Sequence, residues 1–520
     1  MLPDRGMRLP LAAVLLATAG WLIFGAFAPP LPGYTDIFLF KDAGANLALG
    51  NGFTSRLTYG NPTFDRVGYA FYPPGYPFLF GVYSKLVGVG VAQNAAFNTG
   101  IAALAHIFGW AALAMGAASM LKRGLLVLVC LTLPLGFSAC AYDRPDTLGL
   151  ALGLGALLLL CQSAAPLRLF FSAILCGVAV VVSPPAGALS ALAIVLLWAS
   201  DRLPPGRDRR WPPFPLIGAP AVAGFLIAPS LAVYLLMQLD PTAITRFLGV
   251  LPEPGRFFMA LVDGDWRTWS GGLRTQIAAE PARLGIASLA FVLGSGMVFF
   301  TLAAMRSRNW SLLIPCGGLV LFVAVPLTIS PSQPSYVPIA TGLLLALFSI
   351  ASSRLEGAYA TGRSVALVVA FVGMTILNAP TFARILVMNA NLGPSLARMR
   401  IVISDLQHSE EGERLVAVAP QGYMLFKEAG FDVVNFWPGL DDAENRARIP
   451  LFALSFIGSG DALRPQYPPW WNEADYELVY WPHLPQRATV FGREVGNSSI
   501  TWEHAVYRRR DTSRTAANPR

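Results

Sequence analysis

Charged side chains are scarce in this sequence: Asp, Glu, Lys and Arg make up 13% of its 520 residues, against 54% hydrophobic. Soluble domains carry about 25% charge. A water-soluble globular chain is therefore excluded and an integral membrane protein implied, in keeping with a mean hydropathy of +0.53. Cysteine is nearly as sparse. The five present (Cys130, Cys140, Cys161, Cys176, Cys316) lie inside or at the ends of apolar runs. They show neither the spacing of a zinc site nor a disulfide framework, and read as small buried hydrophobes. The four histidines, His106, His408, His483 and His504, are scattered and form no compact metal motif.

What is abundant is long apolar runs. The first, Leu9 to about Phe27, follows Arg5 and Arg8 and shows no small-residue cleavage pattern before Pro29 and Pro30. It reads as a transmembrane helix with a cytoplasmic N-terminus rather than a removed signal peptide. Ten further runs follow, near Ala92–Met120, Leu125–Ala141, Thr147–Cys161, Leu169–Val182, Ala186–Ser200, Phe214–Met237, Leu284–Met305, Trp310–Ser330, Tyr336–Ile350 and Ser364–Leu377. The expected fold class is a polytopic α-helical membrane protein of about eleven transmembrane helices.

The basic residues support that count. If connections alternate sides, those on the N-terminal side hold thirteen Lys/Arg against four Asp/Glu, whereas those on the opposite side hold ten against ten. This is the positive-inside asymmetry. The tail from residue 381 carries fifteen bases and sixteen acids, so topology accounts for the net charge of +8 and a nucleic-acid partner is not implied.

In that tail the pattern changes. R414-L-V-A-V-A-P420, D432-V-V-N-F-W437, Y476-E-L-V-Y-W481 and A488-T-V-F-G-R-E-V495 alternate like strands, with room for helices at 421–430 and 440–449. The expected organisation is a transmembrane catalytic domain over 1–380, with outer loops 29–75 and 238–280, and a periplasmic α/β domain over 381–520.

Polar chemistry gathers at the outer ends of the helices: residues 29–75, A141-Y-D-R-P-D146, S183-P-P-A186 and the Arg-, Asp- and Trp-rich loop from Gln238 to Glu280. A transporter keeps its polar groups near midplane in broken helices, whereas an interfacial active site needs them at this level. Asp36 heads a segment in which Phe38, Phe40, Ala43 and Leu47 alternate with Lys41, Asp42 and Asn46, expected to be an amphipathic interfacial helix. Asp36 could merely cap that helix, and Asp146 could cap the run Thr147–Cys161. Y72-P-P-G-Y-P77 is a turn, with Gly75 permitting close approach and Tyr72 and Tyr76 candidates for a cavity wall. Ser183-Pro184-Pro185 is expected to kink a helix connection. Lys41, Arg56, Lys85 and Arg144, with the arginines of the fourth loop, are the cations available at this level to hold an anion.

The order Asp36, Ala43, Leu47, Gly50-Asn51-Gly52-Phe53, then Y72-P-P-G-Y-P77, then R144-P-D146 resembles the GT-C superfamily of integral-membrane glycosyltransferases, in the branch of the aminoarabinose and protein O-mannosyl transferases. That resemblance covers about residues 10–380. It implies an inverting transfer from a polyprenyl-phosphate-linked sugar to a lipid, glycan or protein acceptor at the outer membrane face. Asp36 matches the family's base and Asp146 the acid near the fourth helix, with Asp143 as its substitute. Where some members carry paired acids in the first loop, Asp36 is followed by Ile37, and Asp42 is the residue that could assist. No cofactor is firmly implied, although a divalent cation could bridge phosphate and carboxylates. The competing expectations are a transporter or flippase of a lipid-linked glycan, and a noncatalytic membrane assembly factor.

Overall fold

The structure, a computed structural model, describes residues 37–56, 67–69, 73–116, 144–161, 166–200, 214–239, 264–265, 267, 280–307, 342–344, 346–350, 362, 365–366, 369, 392–408, 414–435, 443–457, 464–482, 488–490, 493–495 and 502–510. The expected spans at Leu9–Phe27, Leu125–Ala141 and Trp310–Ser330 lie outside these residues.

The apolar runs that are described are helices, in which the backbone polar groups find their partners internally. In chain order these are α1 (Ile37–Ala48), α2 (Gly75–Val87), α3 (Val91–Gly116), α4 (Asp146–Cys161), α5 (Pro166–Val182), α6 (Pro184–Ser200), α7 (Phe214–Leu239) and α8 (Glu280–Ser307). Among the described residues one stretch, Ala219–Gln238 of α7, is long and apolar enough to cross a membrane by itself; the apolar parts of α4, α5, α6 and α8 are shorter. Helix α4 packs against α3, α5 and α6, and α5 packs against α7.

Helices α1 and α2 cross closely where Gly44 meets the second helix. A Cβ on Gly44 would stand 2.2 Å from the Pro77 carbonyl oxygen. The expected close approach at Gly75 is real as well: a Cβ there would lie 2.7 Å from the Val181 carbonyl oxygen of α5. On its other side α2 exposes Phe78, Leu79, Val82, Leu86 and Val87, a face suited to lipid.

Helix α1 departs from the amphipathic expectation. Ile37, Phe38, Phe40, Lys41, Asp42, Ala43, Gly44, Ala45 and Asn46 are all buried. The physical reason is that the C-terminal part of the chain covers the face that water or headgroups would otherwise meet.

That part is built on a five-stranded sheet. A β-pair β1 (Thr54–Ser55) and β2 (Val67–Gly68) precedes it in the first loop. The tail then contributes β3 (Leu415–Val418), β4 (Asp432–Asn435), β5 (Leu451–Leu454), β6 (Phe456–Ile457), β7 (Arg464–Pro465), β8 (Tyr476–Tyr480), β9 (Ala488–Val490), β10 (Arg493–Val495) and β11 (Ala505–Arg509). The sheet order is β4-β3-β5-β11-β8, with β3 parallel to both neighbours and β11 antiparallel to both of its own. Helix α9, over 392–408, and the short α10 (Tyr423–Glu428) and α11 (Ala443–Ala447) complete the tail elements used below.

All four strand segments expected in the tail carry strands, and α10 and α11 fall in the two windows left for helices. Strands β5 and β11, at the centre of the sheet, were not expected. The alternation of strand residues sorts the sheet into two cores. Leu415, Ala417, Val434 and Phe452 join Tyr476, Tyr507, Trp470 and Trp471 on one side. On the other, Val416, Val418, Val433 and Ala453 join Met399, Ile403 and Leu406 of α9, and the same cluster takes in Ile37, Phe38 and Ala45 of α1, Phe80 of α2 and Val91 of α3. The tail sheet therefore shares one hydrophobic core with α1, α2 and the start of α3.

Candidate functional site

Residues one helical turn apart share a face, and α1 uses this to direct the pair Asp42 and Asn46 toward the tail, while Lys41 points to α3. Asp42 and Asn46 face α10. Asp42 Oδ1 accepts the Tyr423 hydroxyl at 2.6 Å and lies 3.5 Å from Lys427 Nζ, which also donates to Asn46 Oδ1 at 2.8 Å. Asp42 Oδ2 accepts the Ser55 hydroxyl at 2.6 Å and the Arg56 backbone N–H at 3.3 Å. Arg56 Nε meets Asp432 Oδ2 at 2.7 Å, and Lys427 lies 3.8 Å from the other Asp432 oxygen. Two acids and two bases thus alternate in a neutral, hydrogen-bonded group, the condition under which charges survive burial. Burial, and after it the Asp42 carboxylate, raise the Tyr423 phenol well above its ordinary value, so it remains a proton donor to Asp42.

Lys41 turns the other way. Its ammonium donates to Asn98 Oδ1 at 2.8 Å and to Asn94 Oδ1, two amides one turn apart on α3, and lies over the rings of Tyr76, Phe80 and Phe97. Amide oxygens and ring faces both favour a cation. Lys41 is 0% exposed and Asp42 1%, so the direct substrate contacts expected of them meet a different geometry: both side chains are sealed inside the protein and hold elements together. The same holds for Arg56, half-buried against Asp432, and for Tyr76, buried with its hydroxyl 3.5 Å from Asn98.

The second group lies where α4 begins. Arg144 Nε donates to Asp146 Oδ2 at 2.8 Å, the Ser183 hydroxyl donates to Asp146 Oδ1 at 2.8 Å, and the Arg144 guanidinium sits 5.2 Å over the ring of Phe40 in α1. Asp146 is 4% exposed. The structure thus brings Asp146 and Arg144 together and sets them against α1. Lys85 stands apart, exposed in the last turn of α2. Asp36, Asp143 and Tyr72 lie outside the described residues.

Among the described residues no three His, Cys, Asp or Glu side chains come together as a metal site would need. Asp146, the hard-oxygen donor at the second group, faces a guanidinium on one oxygen, and the other two candidate carboxylates, Asp36 and Asp143, lie outside the described residues.

Ser183, Asn94, Asn98, Tyr423, Lys427 and Asp432 were not anticipated as partners. A readable signal existed for the two asparagines, amides four residues apart at the start of an apolar run. For Tyr423 and Lys427, 381 residues from their partners, no local signal exists.

No family model matches the chain, and no curated protein does. Solved structures do. ArnT from Cupriavidus metallidurans bound to undecaprenyl phosphate is 15% identical, with 98% of this chain and 99% of that chain covered at a TM-score of 0.53. The apo state of the same protein gives 15% identity, 97% and 98% coverage and a TM-score of 0.52. An oligosaccharyltransferase of Archaeoglobus fulgidus aligns at 10% identity, 86% and 69% coverage and a TM-score of 0.46. The near-complete coverage in both directions shows that the chain shares the fold of ArnT, a GT-C fold.

Proposed function

We propose that this protein is an inverting glycosyltransferase that moves a sugar from a polyprenyl-phosphate donor to a lipid, glycan or protein acceptor at the periplasmic face of a bacterial inner membrane. The observation that carries the reading is the Arg144–Asp146 pair seated over Phe40. Asp36 stands four residues before Phe40 in the sequence, and in this reading a base at position 36 and the carboxylate of Asp146 serve one outer-level site. The fold supports the reading, and the ArnT of similar fold binds undecaprenyl phosphate.

In this assignment Asp36 takes the acceptor hydroxyl proton as the new glycosidic bond forms. The leaving polyprenyl phosphate departs as a stabilised anion, so no acid need protonate it, unlike the two-carboxylate chemistry of glycoside hydrolysis. Asp146, held by Arg144, orients the acceptor, with Asp143 as its substitute. Lys85, exposed at the end of α2, is the candidate cation for the donor phosphate, Tyr72 walls the cavity, and the buried Tyr76 packs behind it. Lys41, Asp42 and Arg56 hold the loop that carries Asp36. The same reading takes about eleven transmembrane helices, a cytoplasmic N-terminus and a periplasmic tail.

The test is transfer from a purified polyprenyl-phosphate sugar by the detergent-purified protein. Asp36→Asn should keep folding and donor binding while turnover falls by about 10²-fold or more, and Asp146→Asn should also lose turnover. Transport of a lipid-linked glycan by the wild type without transfer, or near-normal turnover in Asp36→Asn, would sink the assignment.

A further inference from the structure

We propose that Ser183 is a positioning residue for transfer: its hydroxyl fixes the plane of the Asp146 carboxylate from the break between α5 and α6. The proposal rests on the assignment of Asp146 to the transfer site.

Ser183 lies on an unusually determined piece of backbone. It is the lone non-helical residue between α5 and α6. Pro184 disfavours the helical region for it, while its N–H donates to the Ala179 carbonyl at 2.7 Å and its carbonyl accepts the Gly187 N–H at 2.9 Å. Both backbone groups are thus used, one by each helix. The hydroxyl is left to act across helices, and it is 0% exposed. It donates to Asp146 Oδ1 at 2.8 Å, while Arg144 holds Oδ2 at 2.8 Å. Two donors, one on each oxygen and from different elements, stop rotation of the carboxylate about its last bond. A carboxylate has about four acceptor positions; these two bonds leave one on each oxygen, in a set direction, for an acceptor hydroxyl. Helix α4 has no slack to compensate for a lost bond, because a Cβ on Gly149, one turn beyond Asp146, would already stand 2.5 Å from the Ala186 Cβ.

The S-P-P segment is therefore more than a kink: the kink aims a hydroxyl. Removing it should misalign a carboxylate without removing it, a loss that appears in the chemical step and not in donor binding.

The experiment uses the full-length protein and compares Ser183→Ala, Ser183→Thr, Asp146→Asn and the Ser183→Ala/Asp146→Asn double variant. Ser183→Ala should lower kcat by about 10-fold with the KM for donor unchanged. Ser183→Thr should recover most of that loss, and Ser183→Ala should lower kcat no further in the Asp146→Asn background. A fall in kcat that is equally large in both backgrounds, or a loss of thermal stability with kcat intact, would make Ser183 a helix staple and overturn the proposal while leaving Asp146 in place. If Ser183→Thr does not fold, the double-variant comparison decides alone. Normal turnover in Asp146→Asn, or no transfer by the wild type, would remove the underlying assignment and this proposal with it.

Discussion

Replacing Lys427 by methionine tests whether the tail is bolted to the first outer loop by charge. The substitution keeps a long apolar stem and deletes an ammonium lying 3.5 Å from Asp42 and 3.8 Å from Asp432. At an effective dielectric of about 20, the Asp42 contact alone is worth about 5 kcal/mol before desolvation is counted. Removing one partner of a buried pair costs about 3–5 kcal/mol, because the other charge stays buried. The lower end applies here, since Asp42 keeps the Tyr423 and Ser55 hydroxyls and the Arg56 N–H. About 3 kcal/mol is a factor of about 10² in a local opening equilibrium. Hydrogen exchange of the Tyr423–Glu428 amides in the detergent-solubilised protein reads that equilibrium directly, and their protection should fall by about 10²-fold. Asp42→Asn and the double variant complete a cycle, in which the two losses should overlap by about 1–3 kcal/mol. Unchanged protection in Lys427→Met, or losses that add to within about 0.5 kcal/mol, would refute the reasoning.

The tail should also carry its own acid sensitivity. Burial lowers the His504 pKa to about 4, partly opposed by the hydrogen bond from its Nδ1 to the Trp502 carbonyl, whereas the unfolded chain titrates near about 6.5. Between those values the unfolded state binds a proton that the folded state refuses. Stability should therefore fall as pH drops through this window, by about 3 kcal/mol in all; limited proteolysis of the tail against pH should show the loss, and His504→Gln should flatten the profile. Gly44→Ala should separate α1 from α2, since its new methyl would meet the Pro77 carbonyl at 2.2 Å and the Gly81 nitrogen at 2.9 Å. A cost of about 1–3 kcal/mol in thermal stability and a loss of transfer should follow, while Gly100→Ala, with open space at its Cβ, should change neither.

How much of this was legible in the sequence depended on separation along the chain. Helices α4 to α7 appear within a few residues of their apolar runs, because length and apolarity are local properties. The Arg144–Asp146 pair was legible for the same reason, its members being two residues apart. Strand β5 was not. L451-F-A-L454 is buried throughout, so it lacks the alternation that marks a half-exposed strand. The burial of α1 was misread because its polar residues look like a wet face; their partners Tyr423 and Lys427 arrive only with the tail. Ser183 was misread because its two prolines explained the bend and drew notice away from the hydroxyl.

The shared core of loop and tail has a consequence for biogenesis. Asp42 is translated 381 residues before Tyr423, which at about 5–20 residues per second is a delay of roughly 20–75 s. Throughout that interval the first loop must wait with the Asp42 carboxylate and the apolar side of α1 uncovered by the tail. Fastening of the first loop thus waits on synthesis of the tail, and a ribosome that stops before Tyr423 leaves the loop without the partners of Asp42 and Asn46.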